Sequence, residues 1–135
     1  MPVRILMVDD FEPFRRLVRS TLQKMTGLKV VCEVSDGLEA VQKAQELLPD
    51  LILLDIGLPR LNGLEAARQI RKLAPESKIL FLSVESDADV VQEAMSLGAQ
   101  GYVDKANVVG ELLVAVEAVC QGQQFISGGL SPAWC

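Results

Sequence analysis

A chain of 135 residues, half of them hydrophobic, is long enough for one domain with a substantial core and too apolar to stay disordered. Its net charge of -5 argues against a nucleic-acid groove or an anionic membrane face. The absence of histidine removes any His-containing zinc site, any Ser-His or Cys-His catalytic pair and any role as a phosphohistidine donor.

In chain order, the first element is the short apolar run RILMVDD (4–10), which ends in acids. It is too short and too quickly charged for a signal peptide. Pro13 then opens a helix whose apolar face is Phe14, Leu17, Val18, Thr21, Leu22 and Met25, closed by Gly27. The β-branched run at 29–35 predicts a second strand, and Ser35 or Asp36 caps the helix after it. That helix has the face Leu38, Val41, Ala44, Leu47 and Leu48 and stops at Pro49. LILLD (51–55) has no polar alternation and reads as a strand buried on both faces, with Gly57 and Pro59 making the turn beyond it. A third helix follows Asn62-Gly63, with Leu64, Ala67, Ile70 and Leu73 inward and Pro75 as its stop. KILFLSV (78–84) is the fourth strand. Ser86 caps a helix running through Val90, Ala94 and Leu97 to Gly98. GYVDK (101–105) is the fifth strand, and 109–120 form the last helix, with Leu112, Leu113, Val116 and Val119 as its stripe. Residues 1–121 form one domain, and 122–135, rich in Gly, Gln and Ser, read as a flexible tail or linker. Cys32, Cys120 and Cys135 have no CxxC spacing and read as packing or tail thiols of a reducing compartment. With no stretch near the roughly 20 apolar residues of a membrane span, the expected location is the cytoplasm.

Five alternations of strand and helix predict an α/β fold: a flavodoxin-like three-layer sandwich around a parallel five-stranded sheet, order 2-1-3-4-5. Sites in such folds gather at the carboxyl ends of the strands. Here those ends carry Asp9 and Asp10, Asp55, Ser83 and Lys105. Singly each is ordinary, since an aspartate after a strand often caps a helix and a lysine is usually solvated. Jointly, three converging carboxylates call for a counter-charge. A hard divalent cation with oxygen ligands, Mg²⁺ with Mn²⁺ as a substitute, provides one, and Lys105 another. The set suits a transferable phosphoryl group, with Asp55 as nucleophile and the lysine and hydroxyl serving its oxygens.

VDD (8–10), LLDIGLP (53–59), LSV (82–84) and GYVDK (101–105) together resemble the receiver domain of bacterial two-component response regulators, over about residues 3–121. The resemblance implies that Asp55 is the phosphoacceptor. It makes Asp9, Asp10, Asp55 and the Gly57 carbonyl the Mg²⁺ ligands, and Lys105 the contact to the phosphoryl group. Ser83 and Tyr102 become the hydroxyl and aromatic that move inward on phosphorylation. It implies a cognate sensor histidine kinase as donor, a possible homodimer of the phosphorylated form, and no enzyme activity beyond the domain's own phosphorylation and dephosphorylation. Ala106 stands where many receivers have proline, and Gly57 leaves no side chain at a position the family uses to tune hydrolysis.

Residues 96–127 resemble, more narrowly, regulators whose receiver precedes a LuxR-type helix-turn-helix. Either an output domain follows or the receiver stands alone; the SPAWC ending does not resemble the start of a DNA-binding helix, and no direct nucleic-acid binding is expected. Three rival readings fit less well. A haloacid-dehalogenase-type phosphatase needs a second aspartate where Gly57 stands. A flavodoxin needs a phosphate-cradling loop where Asp9-Asp10-Phe11-Glu12 lies. An adaptor that is never phosphorylated has no use for the full acidic and lysine set.

Overall fold

The computed structural model describes residues 2–127. The elements in order are β1 (Val3–Val8), α1 (Glu12–Leu22), β2 (Leu28–Val34), α2 (Gly37–Leu47), β3 (Leu51–Leu54), α3 (Gly63–Leu73), β4 (Lys78–Ser83), α4 (Ala88–Ser96), β5 (Gly101–Asp104), a 3₁₀ turn at Lys105–Asn107, α5 (Val108–Cys120) and β6 (Phe125–Ile126). All strand pairs are parallel, in the order β2-β1-β3-β4-β5-β6. The strand order reverses at β1 and β3, so their carboxyl ends adjoin and open a crevice there.

The period-2 geometry of a strand sends successive side chains to opposite faces. Leu6, Val8, Ile52, Leu54, Ile79 and Phe81 pack on one face against Ala40, Ala44, Ala67, Ile70, Val91 and Ala94 of α2, α3 and α4. Ile5, Met7, Leu51, Leu53, Leu80 and Leu82 pack on the other against Val18, Leu22, Leu112, Val116 and Val119 of α1 and α5. With helices on both faces, β3 has no solvent side, which accounts for its unbroken apolar run.

Among the described residues the sheet has six strands, where five were expected. Phe125 and Ile126 add to the β5 edge, and Ser127 is buried. The expected flexible tail therefore begins with an ordered edge strand, while its remainder from residue 128, including Cys135, lies outside the described residues. Several helix details also differ from expectation. In α2 Ala44 is buried as expected, but its buried companions are Gly37 and Ala40, and Leu38 is exposed. Leu48 ends that helix in the left-handed conformation (φ 46°), donating its N–H to Ala44 O, so its side chain leaves the helix face for solvent. Leu17 and Leu73 are also exposed, and Met25 lies past the end of α1. The cap of α4 is Asp87, whose carboxylate accepts from Asp89 N, in place of Ser86.

Two glycines let the β3–α3 loop sit tightly. A Cβ on Gly37 would run into the Leu61 carbonyl, and one on Gly63 into the Asp55 carbonyl. Gly63 N donates to Ile56 O at 2.7 Å and Gly37 N to Pro59 O at 3.3 Å. The loop that carries Asp55 is thus clasped between the starts of α2 and α3.

Candidate functional site

Asp9 follows β1, and its N–H donates to Val34 O of β2. Its buried carboxylate accepts the Phe11 N–H on Oδ1 (2.9 Å). Asp55 follows β3, donates its N–H to Val8 O, and accepts the Ile56 N–H on Oδ1 (2.8 Å). These bonds aim the second oxygen of each carboxylate into the crevice. Lys105, just past β5, places Nζ 2.7 Å from Asp9 Oδ2 and 3.2 Å from Asp55 Oδ2.

The two acidic contacts differ in kind. Lys105 Nζ donates a hydrogen bond to Asp55 Oδ2, whereas its contact with Asp9 Oδ2 is an ion pair without hydrogen-bond geometry. Asp9 Oδ2 is therefore a buried carboxylate oxygen with no hydrogen bond. The Lys105 ammonium pairs with this atom electrostatically, but among the described residues no donor hydrogen-bonds it. Asp9, Asp10 and Asp55 each offer an oxygen, and the three oxygens lie within 4.8 Å of one another. An all-oxygen donor set, one buried oxygen of which accepts no hydrogen bond, fits a hard divalent cation. Burial pushes the Asp55 carboxyl above its usual range; the Lys105 charge opposes this and the Asp9 charge adds to it.

The expected hydroxyl and aromatic lie beside this cluster. Ser83 is buried at the end of β4, and its Oγ accepts the Glu85 N–H at 3.0 Å. Among the described residues it makes no hydrogen bond to Asp55. Tyr102 on β5 is fully buried, and its hydroxyl donates to Glu85 O at 2.9 Å. The aromatic is thus already inside the fold, and both residues are tied to the loop after β4. Gly57 is exposed two residues past Asp55; its φ lies outside the left-handed region, and a Cβ there would meet nothing. The Lys105–Ala106 peptide is trans.

Sequence reasoning missed two residues at this site. Arg15 donates from Nη1 to Asp9 O and from Nε to Glu33 Oε1 (3.1 Å), bracing the peptide between Asp9 and Asp10. Phe14, read as ordinary core, lies against Lys105 with 4.4 Å between Nζ and the ring centroid. Neither has a signal in one sequence, since a cation and an aromatic on the first turns of a helix are commonplace.

A parallel sheet with acids and a lysine gathered at its carboxyl ends makes this a flavodoxin-like α/β domain with a cation-ready acidic site. Residues 5–117 match the Response regulator receiver domain family. The chain belongs to that family and is a receiver domain of the two-component response regulator type, a regulatory domain. It is 36% identical over 124 residues to the transcriptional regulatory protein DegU of Brevibacillus brevis, covering 92% of this chain and 52% of that protein. It is 33% identical over 129 residues to the response regulator UvrY of Escherichia coli (strain K12), covering 96% and 59%. The chain thus spans little more than half the length of these relatives. Among solved structures, it is similar to a LuxR-family two-component response regulator from Aurantimonas sp. SI85-9A1 (TM-score 0.90, 33% identity, 95% of this chain and 91% of that one). It is also similar to the signal receiver domain of the putative response regulator NarL from Mycobacterium tuberculosis (TM-score 0.85, 30% identity, 90% and 98%). Among the described residues, no helix is long and apolar enough to cross a membrane.

Proposed function

We propose that Asp55 accepts a phosphoryl group from a histidine kinase and that the resulting aspartyl phosphate changes the domain's fit to an output module or partner. The observation that carries this reading is the Asp55 carboxylate itself. It is nearly buried, held by Ile56 N on one oxygen, and faces Lys105 with the other beside two more acids. Asp9, Asp10, Asp55 and the Gly57 carbonyl would hold Mg²⁺, with Mn²⁺ able to replace it. The cation, when bound, offsets the crowded carboxylates and the charge of the incoming phosphoryl oxygens.

The chain's own residues supply the rest. An Asp55 oxygen forms the new P–O bond as the P–N bond of the donor breaks. The departing imidazole nitrogen keeps the bonding pair and takes up a proton. Ile56 N keeps the carboxylate oriented for in-line attack, and Lys105 stands ready for a phosphoryl oxygen. Ser83 can rotate from Glu85 N to a phosphoryl oxygen. Because Tyr102 holds the carbonyl of the same Glu85, that rotation would be felt at Tyr102 and along β5.

The kinase would be this chain's own partner, and the phosphorylated form would pair with a second copy of itself or an attached output module. The net charge of -5 supports no direct nucleic-acid binding by this chain. The unpaired thiols of Cys32 and Cys120 suit the reducing cytoplasm. The test is incubation with acetyl phosphate and Mg²⁺ followed by intact-mass spectrometry. One added phosphoryl mass is expected, with none on Asp55→Asn or after chelation. An equal gain on Asp55→Asn overturns the assignment.

A further inference from the structure

Lys105 ends a long side chain with many rotamers, so an ammonium that must meet a phosphoryl oxygen gains from a fixed support. Two carboxylates hold it here, but neither is a lasting partner. A cation at the acidic cluster would compete for Asp9, and a phosphoryl group on Asp55 would convert that carboxylate into an acyl phosphate, a mixed anhydride that no longer carries the carboxylate charge. One neighbour is unchanged by either event. The Phe14 ring, on the first turn of α1, presents its face to Nζ at 4.4 Å from the centroid. Its remaining surface packs against the apolar cluster between the sheet and the helices α1 and α5. The Lys105 side chain is only 15% exposed, so the contact is poorly screened.

We infer that Phe14 is a positioning residue, whose ring face holds the Lys105 ammonium over the gap between Asp9 and Asp55 through a cation–π contact. This rests on the phosphoacceptor reading of Asp55 for its functional meaning, though not for its geometry. An ordinary core phenylalanine would serve the apolar cluster equally well with its face turned away. A quadrupole aimed at a cation depends on the electron density of the ring, which hydrophobic packing does not.

That difference defines the experiment. Phe14 alone is replaced by phenylalanines carrying one, two and three ring fluorines, which keep the shape and drain the face of electron density. Two readouts are taken on each protein. The first, without metal or phosphodonor, is the NMR shift of the Lys105 Cε protons and Nζ. The second is the rate of phosphoryl uptake from acetyl phosphate with Mg²⁺. The expected results are a stepwise change in the Lys105 shifts and a rate that falls stepwise, by about fivefold at three fluorines. Phe14→Tyr, which keeps the face, should stay within about twofold of the parent, and Phe14→Leu should match the trifluoro protein. A flat rate across the fluorinated series overturns the positioning role. Lys105 signals with no ring-current shift overturn the contact itself. If the parent takes no phosphoryl group on Asp55, the phosphoacceptor reading and the positioning role both fall, and the Lys105 spectra still decide the contact.

Discussion

The carbonyl of Asp55 occupies the space that a Cβ on Gly63 would need. The obstacle is backbone, so no side-chain rotation relieves it. Gly63→Ala should cost about 1–3 kcal/mol, the usual range for overpacking. It should also slow phosphoryl uptake, because the strain falls on the peptide that carries the proposed nucleophile. Urea unfolding and acetyl phosphate uptake on the same sample check both effects. A variant with parental stability would show that the loop has slack.

Asp55 should make the metal-free protein less stable as pH rises. Burial, with the Asp9 charge adding and the Lys105 charge opposing, holds its carboxyl above the ordinary range. The folded state therefore binds this proton more tightly than the unfolded chain does. The stability contributed is fully present below the unfolded value, about 3.9, and is lost as pH rises through the folded value. Asp55→Asn never ionises and escapes that loss. In chelator, it should melt a few degrees above the parent at pH 7, on the order of 1 kcal/mol. The two curves should converge toward about pH 4, a comparison for calorimetry. A lower melting temperature for Asp55→Asn at pH 7 would mean that the Lys105 pairing outweighs burial.

Gly57→Asn should shorten the life of the aspartyl phosphate. Water must reach the phosphorus in line, and Gly57 has no side chain to hold it there. The backbone offers no objection, because φ is ordinary and a Cβ meets nothing. An amide there can donate to or accept from water. A severalfold faster loss of phosphate is expected at equal Mg²⁺ in a well-folded variant. An unchanged or longer lifetime would rule out water placement as the limit. Glu85, on the loop after β4, could align that water or repel the phosphoryl group.

Ser127→Ala should destabilise the domain by about 1–3 kcal/mol, although it lies beyond the last helix. Ser127 Oγ accepts from Asp104 N at 2.7 Å and donates to Glu111 Oε1 at 2.5 Å, and its own N–H goes to Tyr102 O. Alanine keeps the last of these and loses the first two. Hydrogen exchange should quicken at the Asp104 amide and spread to its β5 neighbours. Parental stability with unchanged exchange would mark β6 as incidental.

Much of this was legible because the relevant signals are periodic or paired. LILL, short and bounded by turn residues, read as a strand covered on both faces, and the acids and lysine fell at strand ends once five alternations were counted. What escaped lacks period. Two residues of β6 within a Gly- and Gln-rich run make no pattern, and their pairing is fixed by distant β5. In α2, Ala44 was rightly read as inward, but the leucines beside it were not: close packing selected Gly37 and Ala40. The Phe14–Lys105 contact joins helix one to the end of strand five, a separation no local reading spans.

Lys105 lies 50 residues beyond Asp55, and further still from Asp9. Closing loops of that length costs chain entropy that only the assembled sheet recovers. A polypeptide still leaving the ribosome, with β5 not yet made, carries its aspartates but lacks the ammonium that faces them. Because the lysine sits on so late a strand, the proposed phosphoryl chemistry at Asp55 would have its full set of charges only once β5 has joined the sheet, which ties competence to signal to completed folding.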